Sequence, residues 1–128
     1  MTQITQHFSI AEMACKCCGK CFMNPAFMEK LEHYRLDLDM GLTVTSGYRC
    51  EAHNAAVGGK SGSQHLDGHA VDLGWKFLDG FLRYKMLKTA FEHEFTGIGI
   101  SDNFLHLDDR LRGIAMWTYP QRTKSPGS

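Results

Sequence analysis

The run from Ser61 to Leu73, SGSQHLDGHAVDL, limits what this chain can be more than any other stretch. A polar loop carrying His65 turns at Gly68 and feeds a short strand-like segment that holds Asp72. An ionised carboxylate in a strand packed into a core is costly unless a partner meets it. Strand alternation puts Ala70 and Asp72 on one face, and His69, Val71 and Leu73 on the other. His65 lies before the turn and can fold over the Asp72 face. His69 follows His65 at a helical ligand spacing, but Gly68 and the β-branched surroundings disfavour a helix, so it ranks lower. A metal ion shared by His65 and Asp72 answers the burial problem. A structural His–Asp hydrogen bond is the plainer alternative.

A second segment raises the stakes. In Phe104–Asp108, alternation groups Phe104, His106 and Asp108 on one face, opposite Leu105 and Leu107. If both segments face one cleft, His65, Asp72 and His106 converge. Two histidines and one carboxylate with an open fourth position describe a catalytic zinc site rather than a closed structural one. Zinc there would lower the pKa of a water to about 7 and polarise a carbonyl, which is hydrolase chemistry.

The rest of the chain predicts a frame for these segments. Ser9 and Glu12 form a capping box opening a short helix. Asn24-Pro25 starts a longer one, to about Asp39, with Phe27, Leu31, Tyr34 and Leu38 at helical spacing. Leu42–Ser46 reads as a strand. A long loop follows, with one helical turn near Glu51–Ala55; so many polar residues in so long a loop favour function. Ala70–Leu73, Thr96–Ile100 and Phe104–Asp108 are further strands, the last two joined by a turn at Ser101-Asp102-Asn103. A helix over 77–95 carries Phe81, Tyr84, Leu87, Lys88 and Phe91 along one side. Trp117–Tyr119 reads as an edge strand and residues 121–128 as a flexible tail. The expected class is α+β, with helices against a small, mainly antiparallel sheet.

Composition excludes some functions. Fourteen basic residues balance fourteen acidic ones, so there is no broad basic face for nucleic acid and no polybasic patch for membranes. One domain of 128 residues can enclose a real core. A monomer is expected. The N-terminus has no basic flank followed by an apolar run, so the expectation is synthesis in the cytoplasm without a signal peptide.

The segments SGYRC, HNAAVGG, SQHLDGHAVDL and GIGI…FLHLD resemble the zinc D-alanyl-D-alanine carboxypeptidase and murein endopeptidase family, whose fold is shared with the Hedgehog signalling domain. The pattern Ser-x-His-x-x-Gly-x-Ala-x-Asp is matched from Ser63 to Asp72, and the downstream histidine at His106. The resemblance spans about Phe8–Tyr119, so residues 1–120 are read as one zinc peptidase domain. It implies His65, Asp72 and His106 as zinc ligands and peptidoglycan peptides as substrate. A D,D-carboxypeptidase, a D,D-endopeptidase and an L-Ala-D-Glu endopeptidase all fit. A compact member of this kind is expected to be a phage lysin, brought to the cell wall by a holin or injection apparatus. A zinc-containing module that binds without catalysis is the alternative.

The resemblance also implies that Arg49 contacts substrate, where a guanidinium can hold a carboxylate or carbonyl. Ser63 and Gln64 can bond substrate or support the ligands, and Asn54, Gly58 and Gly59 shape the loop. Many relatives place Glu or Asp three residues before the last histidine; here that position is Asn103, which cannot take a proton. Asp108 and Asp102 are the candidate general bases, with Asp108 favoured; a turn cap or a salt bridge to Arg110 or Arg112 is the plainer role for either. Finally, the chain has five cysteines, and Cys15, Cys18, Cys21 and Cys50 are candidate ligands for a second, structural zinc. Reduced thiols or a disulfide are the alternatives.

Overall fold

A computed structural model of the chain describes residues 2–60 and 62–120, so the expected tail lies outside the described residues. Helix α1 (Ile10–Met13) opens on the expected capping box, with Ser9 and Glu12 bonded reciprocally. Helix α2 (Pro25–Leu38) starts at the Asn24 cap, whose side chain accepts from the Phe27 amide. Its spacing holds: Phe27, Leu31, Tyr34 and Leu38 are all fully buried. Strand β1 (Thr43–Ser46) leads to the short helix α3 (Glu51–Ala56), and a 3-10 turn (Gln64–Asp67) precedes β2 (Ala70–Gly74). Helix α4 (Gly80–Glu92) and strands β3 (Gly97–Ile100), β4 (Phe104–Asp108) and β5 (Ala115–Thr118) complete the chain. None of these helices is long and apolar enough to cross a membrane.

The five strands form one sheet in the order β1-β2-β4-β3-β5. Every pairing is antiparallel except β3 with β5, which is parallel. The α+β class with a mainly antiparallel sheet therefore holds. The parallel edge strand was not foreseen.

One sheet face carries Val71, Leu73, Ile98, Leu105 and Leu107, which pack with α2 and α4 into the core. Helix α4 corrects the sequence reading. It begins at the Asp79 cap rather than at Phe77, because the Asp79 carboxylate takes the Leu82 amide at 2.9 Å. Its aromatic side also points outward: Phe81, Tyr84 and Phe91 are 73%, 62% and 52% exposed. The buried residues are Met86, Thr89 and Ala90. Smaller side chains there let α4 sit close to α2, where the Tyr34 hydroxyl donates to the Met86 carbonyl at 2.9 Å. Burial in this helix follows closeness of approach rather than side-chain size.

The opposite face carries Asp72, His106 and Asp108, together with two glycines. Gly97 pairs with Asp108 and Gly99 with His106. A Cβ at Gly97 would overlap the Asp108 carboxylate, and one at Gly99 would lie 2.7 Å from Trp117 Nε1. The alternation in Gly97-Ile98-Gly99-Ile100 thus leaves room on the polar face while Ile98 fills the core face.

Gly68 closes the turn before β2. Its φ of +73° is the left-handed region, and an added Cβ would run into the Phe22 carbonyl. Left-handed backbone costs an L-residue about 1–2 kcal/mol, and overpacking adds about 1–3 kcal/mol. Gly68→Ala is therefore expected to destabilise the protein by roughly 3 kcal/mol in urea unfolding; a change under about 1 kcal/mol would mean the turn relaxes freely.

Candidate metal centre

The two expected segments are neighbouring strands in the right register. Asp72 on β2 and His106 on β4 are direct cross-strand partners, so their side chains share a face. The 3-10 turn brings His65 over them, held by Ser63, whose hydroxyl accepts the His65 amide at 3.2 Å. All three are buried, at 2%, 4% and 4% exposure for His65, Asp72 and His106. One potential ligand atom from each lies within 4.8 Å of the others.

The hydrogen bonds fix which ring nitrogens face inward. His65 Nδ1 lies 2.7 Å from the Gly47 carbonyl oxygen. A carbonyl only accepts, so this nitrogen carries the hydrogen. The Nε2 lone pair is thereby aimed at Asp72 Oδ1, 3.2 Å away. His106 is held the other way round: Nε2 lies 2.7 Å from Asp108 Oδ2, and Nδ1 lies 2.9 Å from Asp72 Oδ1. With His65 neutral and the His106 proton on Nε2, two nitrogen lone pairs converge on one carboxylate oxygen, an arrangement that a cation among the three atoms relieves. Two imidazoles and a carboxylate, each ring backed by an acceptor on its far side, suit a divalent transition metal.

The histidine–carboxylate bonds set the electrostatics of the centre. Burial alone would raise the Asp72 carboxyl, but bonds from His106 and His65 outweigh it and hold it well below the usual carboxylate range. Burial pulls His106 down, and its bonds to Asp108 and Asp72 more than reverse that.

The other expected residues fall into distinct places. Arg49 Nη2 donates to Asp72 Oδ2 at 3.1 Å, Nε to Ser46 Oγ at 2.9 Å and Nη1 to Asn54 Oδ1 at 3.3 Å. It thus occupies the outer oxygen of Asp72 and leaves the inner one to the histidines. Asn54 shapes the loop as expected, its amide donating to the Lys60 carbonyl at 2.8 Å and its Oδ1 filling the space beside Gly59. His69 pairs with Asp109 at 2.8 Å, away from His65.

Neither candidate base lines the cleft. Asp108 is fully buried. Its Oδ1 accepts from the amide and Nε of Arg110, and its Oδ2 from Arg110 Nη2 and His106 Nε2. Burial would raise this carboxyl, but Arg110 and then His106 hold it well below the usual range. With four donors, this carboxylate holds Arg110 and His106 in place. Asp102 is exposed in the β3–β4 turn. It is not among the residues that line the cleft around His106.

The centre lies in a cleft of about 920 Å³. One wall is aromatic: Phe104, Trp117 and Tyr119, with the Trp117 ring centre 5.2 Å from that of His106 and Arg110 stacked over Trp117 at 4.8 Å. The other wall holds His53, Gly58, Gly59, Ser63 and Gln64. His53, Trp117 and Tyr119 escaped the sequence reading as site residues, whereas the Arg110–Asp108 salt bridge is the plainer role the sequence offers for Asp108. The paired glycines of β3 were the signal for Trp117, since an empty strand position often marks the approach of a large group.

The cysteines also regroup. Cys15, Cys17 and Cys50 come together, whereas Cys21 packs against the hydrophobic core.

A protein-family model described as Peptidase M15 matches residues 6–108, a span containing all three centre residues. No curated protein matches the chain.

Proposed function

The chain belongs to the peptidase M15 family, and from that premise we propose that it is a zinc peptidase cleaving amide bonds in peptidoglycan stem peptides or cross-links. The observation that carries this reading is the convergence of His65 Nε2, Asp72 Oδ1 and His106 Nδ1 at one buried point. Zinc held by these three residues would supply Lewis acidity, polarising a carbonyl and making water a nucleophile at neutral pH.

The chain's own groups do the rest. Gly47 and Asp108 keep each imidazole turned to the centre. Arg49 steadies Asp72, and its guanidinium faces the cleft, where it can orient a peptide carboxylate or carbonyl. Ser63 and Gln64 offer polar contacts along the same wall. The Phe104–Trp117–Tyr119 wall excludes water from one side, which strengthens polar interactions within. We assign the proton to His53: a ring nitrogen takes it from the attacking water and returns it to the leaving amine. His53 lines the cleft, whereas Asp108 and Asp102 do not. His53→Gln is expected to lower kcat by roughly 10²-fold or more with zinc content unchanged. Asp102→Asn should leave kcat as it is; the reverse pattern would restore Asp102 as the base.

A second reading is a zinc-containing binding module, favoured by the absence, among the described residues, of a carboxylate other than Asp72 lining the cleft. Mass spectrometry of digested muropeptides separates the two and names the bond. New amino termini support the peptidase, and muropeptides of unchanged mass with retained binding support the module. Delivery to the wall, as by a phage lysin, belongs to the same proposal.

A further inference from the structure

Four cysteines gather beside the loop that supports the cleft ligands. Cys15 Sγ lies 3.6 Å from Cys50 Sγ, and Cys17 Sγ lies 4.0 Å from Cys50 Sγ. Cys15, Cys17 and Cys50 all lie within 4.8 Å of one another, and the Cys18 thiol faces those of Cys15 and Cys50. Zinc–sulfur bonds of about 2.3 Å in a tetrahedron require sulfurs about 3.8 Å apart. The two shorter spacings bracket that value.

The backbone is arranged for thiolates. Cys15 is 2% exposed, and the Cys50 amide donates to its sulfur at 3.5 Å. The amides of Cys17 and Cys18 point at the same sulfur. Cys50 caps α3, its sulfur accepting the His53 amide at 3.4 Å. The loop itself is closed by Cys15 donating to the Lys20 carbonyl and Gly19 to the Cys15 carbonyl, with Gly19 at a φ of +74°. Burial alone would raise the Cys15 thiol, but these amides bring it down to about 6. Cys17 and Cys18 are pushed up, Cys17 chiefly by Cys50 and Cys18 by burial and its thiol neighbours, against a lowering amide of Lys20. Sulfurs this close around one point, with backbone amides aimed at them, are placed as thiolate ligands of one divalent cation. A single disulfide would use two of the four and leave the others crowded.

We propose that Cys15, Cys17, Cys18 and Cys50 bind a second, structural zinc ion, separate from the cleft. It would clamp the segment after α1 to the β1–α3 loop. That loop supplies the Gly47 carbonyl to His65 and Arg49 to Asp72, and it already rests on α1 through the Tyr48 amide, which donates to the Met13 carbonyl at 2.8 Å. The sequence-based set shares Cys15, Cys18 and Cys50 with this one and differs in Cys21.

Elemental analysis of the full chain, purified under reducing conditions without chelator, tests the site independently of any activity. Two zinc ions per chain are expected for the natural sequence and for Cys21→Ser. One is expected for His65→Ala and one for Cys50→Ser. Should Cys50→Ser fail to fold, cobalt-loaded His65→Ala still decides, because it must keep thiolate-to-cobalt charge-transfer absorption. Its absence would overturn the proposal, as would a single zinc lost with His65→Ala, or a Cys15–Cys50 disulfide in chain trapped by alkylation in the cell lysate before any reductant is added.

Discussion

His106→Ala is expected to lower kcat/KM for peptide cleavage by roughly 10³-fold or more, with one zinc ion lost and the fold kept. Metal polarisation is worth several kcal/mol, and each 1.36 kcal/mol is about tenfold in rate. On the proposed reading His106 supplies one of three ligands through Nδ1, which lies 2.9 Å from Asp72 Oδ1. Its removal does not strand Asp108, which keeps both bonds from the Arg110 guanidinium. Loss of activity is therefore not collapse of the sheet. Circular dichroism should be unchanged while zinc analysis shows the deficit. Full activity in this variant would remove His106 from the centre.

Asp108→Ala should act through structure and metal together. It leaves the Arg110 guanidinium beside Trp117 without its carboxylate and His106 Nε2 without its acceptor. Breaking a buried charge pair from one side costs on the order of 3 kcal/mol, which lowers Tm by about 10 °C in a domain of this size. Loss of a group that orients a ligand weakens metal binding by roughly 10–100-fold. Thermal unfolding and competition with a zinc chelator read both effects. A variant with normal Tm and zinc affinity but no turnover would make Asp108 the base after all.

That contrast shows where sequence ends. Alternation assigned Asp72 and His106 to one face because a strand's period is fixed by its backbone, and direct pairing of β2 with β4 then brought them together. The capping box at Ser9 and the Asn24 cap were legible for the same reason, being local chemistry. Asp108 shares the His106 face, as alternation requires, yet its role depends on Arg110, whose side chain turns back onto it after the strand ends. Strand periodicity carries no information about that. Cys17 replaces Cys21 beside the other sulfurs because the Gly19 turn folds 15–18 toward Cys50 and leaves Cys21 on the core side. The aromatic side of α4 was misread because helical spacing reveals a stripe without saying which stripe meets α2.

The central claim is that a metal ion held by His65, Asp72 and His106 drives amide hydrolysis in the cell wall. Release of free amino groups from purified peptidoglycan tests it most directly, measured with the natural chain, with a strong zinc chelator, and after zinc is restored. The account predicts release that the chelator abolishes and zinc recovers, and none from His106→Ala under any of these conditions. Release that persists in the chelated protein, or equally in His106→Ala, would contradict it.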